Sequence, residues 1–175
     1  MGKRVFQLLV DNNSGLLSRV AGLFTRRGYN IESITAGVTA DPRFTRITLV
    51  TDGDEIILTQ IENQLRKLED VRDIKVLDPA NSVLREIVLI KLHADKEKRA
   101  EIIPLAEIFK TKIVDVGPDY LTVELLGTQS KVEAFIELMQ DYEILELART
   151  GVTGLSRGTD DVKIVDEESL VEFVS

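Results

Sequence analysis

The sequence predicts an α+β fold made of two tandem βαββαβ units. Three observations predict it. The first half reads strand, helix, strand, strand, helix, strand. The second half repeats that order. Apolar residues make up 43% of the 175 positions yet fall in short runs, none approaching the ~20 consecutive apolar residues that cross a bilayer. A chain of this length can bury a core and holds one domain or two small ones.

The first unit is expected over residues 1–78. Residues 4–10 form its first strand. In residues 15–27 the apolar positions Leu16, Leu17, Val20, Leu23 and Phe24 line one helical face. Ser14 fits the N-cap of this helix, and Gly28 fits a left-handed residue just past its end. Residues 30–38 and 44–51 then pair as a hairpin across Ala40, Asp41, Pro42 and Arg43, where Asp-Pro suits a turn. A second helix over 55–68 carries Ile57, Leu58, Ile61, Leu65 and Leu68 at helical spacing, and a strand over 71–77 closes the unit.

Residues 78–84, with Pro79 and small polar side chains, link this unit to a second one expected over 85–158. Its elements are a strand over 86–93, a helix over 96–110 carrying Ile102, Leu105 and Phe109, and a hairpin of 112–116 with 120–126 over Gly117, Pro118 and Asp119. A helix over 132–140 follows, capped by Thr128 or Ser130, and then a closing strand over 143–149. Pro104 conflicts with the first of these helices, because proline in a regular interior costs ~3 kcal/mol; the helix is expected to start late or bend. Both units are thus ferredoxin-like. From Thr150 the chain reads GVTGLSRG and then an acidic stretch, with 159–175 a solvated tail. An added strand, a short helix and a partly disordered arm all fit residues 150–175.

Composition excludes several function classes. With no cysteine and a single histidine, disulfide, thiolate and multi-histidine metal chemistry are absent. A formal charge of −8 with three Tyr and six Phe argues against nucleic acid, whose binding needs cations and stacking platforms. The N-terminus has no signal-peptide core and reads directly into a strand, which places the chain in the cytoplasm.

The loop Asp11, Asn12, Asn13, Ser14, Gly15 has a plain reading as a polar connection that caps a helix. A second reading adds function. Free N–H groups at a helix start favour a carboxylate, and Gly15 lets a ligand approach the backbone. An amide offers both a donor and an acceptor, so Asn12 and Asn30 suit the two halves of an amino acid's zwitterionic head. Leu16 and Ile34 read mostly as core, and Ile31 as an aliphatic wall. A buried Val-sized side chain contributes roughly 1.5–3 kcal/mol and each charge-assisted hydrogen bond roughly 1.5–3 kcal/mol, against an association cost of at least ~4 kcal/mol. That balance gives micromolar to millimolar affinity, the range of a sensor. The matching loop of the second unit, His93, Ala94, Asp95, Lys96 and Glu97, has no Gly or Asn. His93 reads as a structural or surface residue. The 151–158 run lacks the GK[ST] ending of a phosphate loop.

The block VDNNSGLLSRVAGLFTRRGYNIESITAG (10–37), with TGVTGLSRG (150–158), resembles the regulatory small subunit of acetohydroxyacid synthase, also called acetolactate synthase. The resemblance runs over nearly the whole chain to Gly158. It implies an N-terminal ACT domain over 1–78 for effector binding and dimerisation, a ferredoxin-like domain over 85–158, and no catalytic site or metal in this chain. It also implies a homodimer that binds valine or another branched-chain amino acid between two ACT domains. The implied partner is a separate catalytic large subunit using thiamine diphosphate, Mg²⁺ and FAD, which the small subunit activates and places under feedback inhibition in branched-chain amino acid biosynthesis. Carried over by position, the effector contacts are Asn12, Gly15 and Leu16 from one protomer with Asn30 and Ile31 from the other. The alternative is an ACT-type amino-acid-sensing module serving a different enzyme or a transcriptional circuit.

Overall fold

The computed structural model describes residues 2–159. The expected tail over 159–175 therefore lies, apart from Thr159, outside the described residues. The chain forms β1 (Gly2–Asp11), α1 (Leu16–Arg27), β2 (Ser33–Val38), β3 (Phe44–Gly53), α2 (Glu55–Arg66) and β4 (Val71–Val76). After a 3₁₀ turn at Pro79–Asn81 come β5 (Ser82–His93), α3 (Lys96–Ile108), β6 (Lys112–Val116), β7 (Tyr120–Gly127), α4 (Gln129–Met139), β8 (Ile144–Arg149) and β9 (Thr153–Ser156). This is the α+β, tandem βαββαβ order that the sequence predicts, with β9 added.

The first sheet has the order β2-β3-β1-β4 and is antiparallel throughout. Alternation sends Phe6, Leu8 and Val10 of β1 and Ile47 and Leu49 of β3 to one face, where Leu16, Val20, Leu23 and Phe24 of α1 and Ile61 and Leu65 of α2 meet them in a single core. The opposite face carries Gln7 and Thr48, yet both are buried. The second unit reaches Gln7, whose amide donates to the Gly154 carbonyl, while Arg46 Nη1 of β3 donates to Gln7 Oε1 at 3.0 Å.

The second sheet has the order β6-β7-β5-β8, with β9 pairing the first residues of β5. Val88, Ile90 and Leu92 pack with Leu121, Val123 and Leu125 beneath Ile102 of α3 and Val132, Phe135 and Met139 of α4. Phe109 and Phe135 stack at 5.1 Å between ring centroids, a separation that adds to their burial.

Four local expectations need correction. Ser14 does not cap α1; Gly15 occupies the N-cap at φ 82° with no side-chain hydrogen bond. The left-handed glycine inserts one residue between Ser14 and the helix, so the hydroxyl misses the first-turn N–H groups. The helix containing Pro104 does not start late, because the Asp95 carboxylate accepts from Lys98 N–H at 2.9 Å and fixes the start at Lys96. Pro104 sits within one turn of the helix end, where it removes a single interior bond. β2 begins at Ser33 rather than at residue 30; residues 30–32 are tied instead to β3, by Thr51 Oγ1 donating to the Asn30 carbonyl at 2.5 Å and Glu32 N–H donating to the Val50 carbonyl at 2.8 Å. β5 begins at Ser82, inside the expected linker, because β9 supplies a partner strand there. Gly28 does adopt the left-handed conformation, at φ 66°.

Glu86 shares the inward face of β5 with Val88 and Ile90 and is 2% exposed. Arg149 Nε and Nη2 donate to its two carboxylate oxygens at 2.7 and 3.0 Å. The carboxylate holds the Arg149 guanidinium above its ordinary range, chiefly through this hydrogen bonding. The Arg149 side chain is 35% exposed, so solvent screens the pair from one side. Arg149→Met therefore costs about 2 kcal/mol in urea unfolding, below the roughly 3–5 kcal/mol of a fully buried pair. The double variant Glu86→Leu/Arg149→Met recovers most of that loss; a double variant as unstable as the single one contradicts the assignment.

Candidate functional site

The β1–α1 corner is built from residues that leave a helix start bare. Asn12 N–H donates to the Arg43 carbonyl at 2.7 Å. Its side chain donates to the Pro42 carbonyl at 3.0 Å and accepts from Thr45 Oγ1 at 3.1 Å. Each end of the amide keeps capacity for one further bond. Gly15 at the N-cap makes no side-chain cap hydrogen bond and the first turn holds no acidic residue, so among the described residues α1 starts without a side-chain cap at the positive end of its dipole.

Neighbouring charges are taken up by their own partners. Arg72 Nε donates to Asp11 at 2.7 Å, an ion pair that raises the guanidinium pKa. Arg19 pairs with Asp70 at 2.8 Å, and Asn13 donates to the same Asp70 at 3.2 Å. The second unit is built the other way. Asp95 caps the start of α3, its carboxylate accepting from Lys98 N–H, so a negative charge of the chain's own stands at that helix end. His93 stands 3.7 Å from Glu143 and is half-exposed, in keeping with a surface role.

Asn30 and Ile31 lie at the other end of α1. Asn30 is exposed and its amide donates to Asp52 at 2.9 Å, so this corner carries a carboxylate that the sequence reading did not include. Lys3 donates to the adjacent Glu32 at 2.7 Å, a bond that raises the lysine pKa. Ile31 is half-buried and packs against the core. Leu16 is 5% exposed and belongs to the core, leaving only its backbone at the corner. Within one chain, then, Asn12, Gly15 and Leu16 come together, as do Asn30 and Ile31. The two groups are separated by the 12 residues of α1, a helix about 18 Å long.

Two clefts lie elsewhere, where the units meet. One of about 620 Å³ opens along the free edge of β2, between Ala36, Gly37 and Val38 and the second unit's Val83, Ile87 and Leu155. The other, about 300 Å³, is polar and lies between Glu32, Ser33 and the Glu86–Arg149 pair. Sequence reasoning missed this junction. A signal existed in Glu86, which has the same strand parity as Val88, Ile90 and Leu92 and so needed a buried partner. Among the described residues no group of three or more His, Asp or Glu converges to hold a metal ion, and no helix is long and apolar enough to cross a membrane.

Comparison with known proteins agrees with both units. Residues 6–73 match the AHAS small subunit-like ACT domain, and residues 85–158 match the small subunit of acetolactate synthase. The chain is 49% identical over 156 residues to a probable acetolactate synthase small subunit of Methanothermobacter thermautotrophicus, covering 89% of this chain and 93% of that one. It is 48% identical over 157 residues to the acetolactate synthase isozyme 3 small subunit of Escherichia coli, covering 89% and 96%. The crystal structure of the acetolactate synthase small subunit from Thermotoga maritima superposes with a TM-score of 0.83 at 41% identity, over 90% of this chain and 99% of that one. Identity at this level, spread over nearly the whole length of the relatives, leaves one conclusion: this chain belongs to the acetolactate synthase small subunit family.

Proposed function

We propose that this chain is the regulatory subunit of an acetolactate synthase in branched-chain amino acid biosynthesis. It works in the cytoplasm, raises the activity of a separate catalytic subunit and makes that activity sensitive to a branched-chain amino acid. The observation that carries this reading is the family membership, which extends over both units. The thiamine diphosphate, Mg²⁺ and FAD chemistry belongs to the catalytic partner. In this reading residues 1–78 bind the effector and dimerise, and residues 85–158 form the second domain.

The effector site is completed by a second copy of the chain. β2 is an edge strand whose outer backbone groups pair with no strand among the described residues, and the exposed Ile34 and Val38 lie on it. Register supports the pairing. Val38 and Val10 both stand opposite Thr45, whereas Ser33 stands opposite Val50, which faces Val5. Antiparallel pairing of two β2 edges sets the Ser33 end of one copy beside the Val38 end of the other. The 30–31 loop of one copy then reaches the level of Thr45 and Asn12 in its partner. There the bare α1 start receives the effector carboxylate, the Asn12 and Asn30 amides and Asp52 address its head group, and Ile31 walls its side chain.

Calorimetry of the isolated chain with valine, leucine and isoleucine tests this. Micromolar to millimolar binding of at least one is expected, and no heat from any of them with folded protein overturns the effector assignment. Asn30→Ala removes hydrogen bonds worth about 1.5 kcal/mol or more, so affinity falls about tenfold or more while the unfolding midpoint stays put. An unchanged affinity places the site elsewhere.

A further inference from the structure

We propose that the segment 149–154 is the joint through which occupancy of the effector site reaches the second unit, with Gly151 seated on Ser33 as its point of contact. This rests on the effector reading above. The segment is anchored in the second unit. Arg149 is held by Glu86, Thr150 N–H donates to the Ile87 carbonyl at 3.1 Å, and Ile87 N–H donates to Thr150 Oγ1 at 3.1 Å. It also grips the first unit. Thr35 Oγ1 donates to the Val152 carbonyl at 3.2 Å, Gln7 donates to the Gly154 carbonyl, and Val152 is buried.

Gly151 sits at φ 83°, and a Cβ there would lie 2.7 Å from Ser33 Cβ and 3.0 Å from Ser33 Oγ. Nothing larger than glycine fits, for reasons of both conformation and space. Backbone therefore meets side chain with no flexible group between them to absorb a displacement. Ser33 is three positions from Asn30, and the intervening Glu32 also accepts from Gln129 of α4 at 3.1 Å. A ligand that moves the 30–31 loop moves the start of β2, and this packed contact passes the shift to the Glu86–Arg149 region.

The test uses Gly151→Ala in the holoenzyme reconstituted with the catalytic subunit. Valine binding to the small subunit is expected to stay within about threefold and assembly to be retained. Inhibition at saturating valine falls at least about fivefold, the low end of ordinary allosteric coupling. Adding Ser33→Gly removes the clashing Cβ, though not the backbone strain at φ 83°, and is expected to recover at least half of the lost inhibition, which it would not do for a generally damaged fold. Should Gly151→Ala fail to fold, Thr35→Val removes only the hydroxyl bond and is expected to show the same split between binding and inhibition. Inhibition retained in full, or lost together with valine binding, overturns the joint. Failure of the unaltered chain to bind valine, leucine or isoleucine is a separate result, which overturns the effector reading itself.

Discussion

A single helix separates the two corners proposed to hold the effector, and the assembly follows from that separation. α1 is 12 residues long, so its start, with Asn12 and Gly15, and the loop after it, with Asn30 and Ile31, are about 18 Å apart in one chain. A branched-chain amino acid spans less than half that distance. No rearrangement of side chains closes the gap while the helix is intact. In the proposed dimer a second copy closes it, because antiparallel pairing at the β2 edge would exchange the two ends of the strand. On the proposed reading dimerisation is a condition of effector binding rather than an accompaniment to it, so occupancy would be reported as a change in subunit arrangement.

The two βαββαβ units share a fold and differ at the position that matters. In the first, a left-handed glycine starts α1 and leaves its dipole free. In the second, Asp95 caps α3 with its own carboxylate. That cap sets the chain's own negative charge at the positive end of the α3 dipole. The first unit gives up a side-chain cap, worth about 1 kcal/mol, and keeps a receptive corner. The junction between units is the other specialised region. It buries Gln7, Thr48 and Glu86; Gln7 is bonded across the junction by the Gly154 carbonyl, and Glu86 within the second unit by Arg149.

Periodicity carried most of the fold. Residues such as Val20, Leu23 and Phe24 in α1, or Val88, Ile90 and Leu92 in β5, announce their element because one face is buried and the other is not. At the candidate site the sequence marked Asn12, Gly15 and Asn30 by their amide and glycine chemistry, a pattern that a plain capping loop shares. Three things were not legible. The Ser14 cap failed because the conformation of Gly15 depends on φ, which composition does not reveal. An added strand was one of three readings open for residues 150–175, and β9 could not be singled out, nor the early start of β5 seen, because each exists only when the other pairs with it. Asp52 beside Asn30 and Ser33 beneath Gly151 are contacts across 22 and 118 positions, and tertiary packing alone brings them together.

The most direct measurement mixes two crippled chains. Asn12→Ala and Asn30→Ala each damage both sites of their own homodimer. In a hybrid dimer, a site shared between protomers combines the intact Asn12 of one chain with the intact Asn30 of the other, so one site is whole and its neighbour is doubly damaged. Subunit exchange of the two variants, followed by valine titration, is predicted to restore a fraction of sites with unaltered affinity. If every site in the mixture stays as weak as in the parent variants, the ligand does not lie between two copies of the chain.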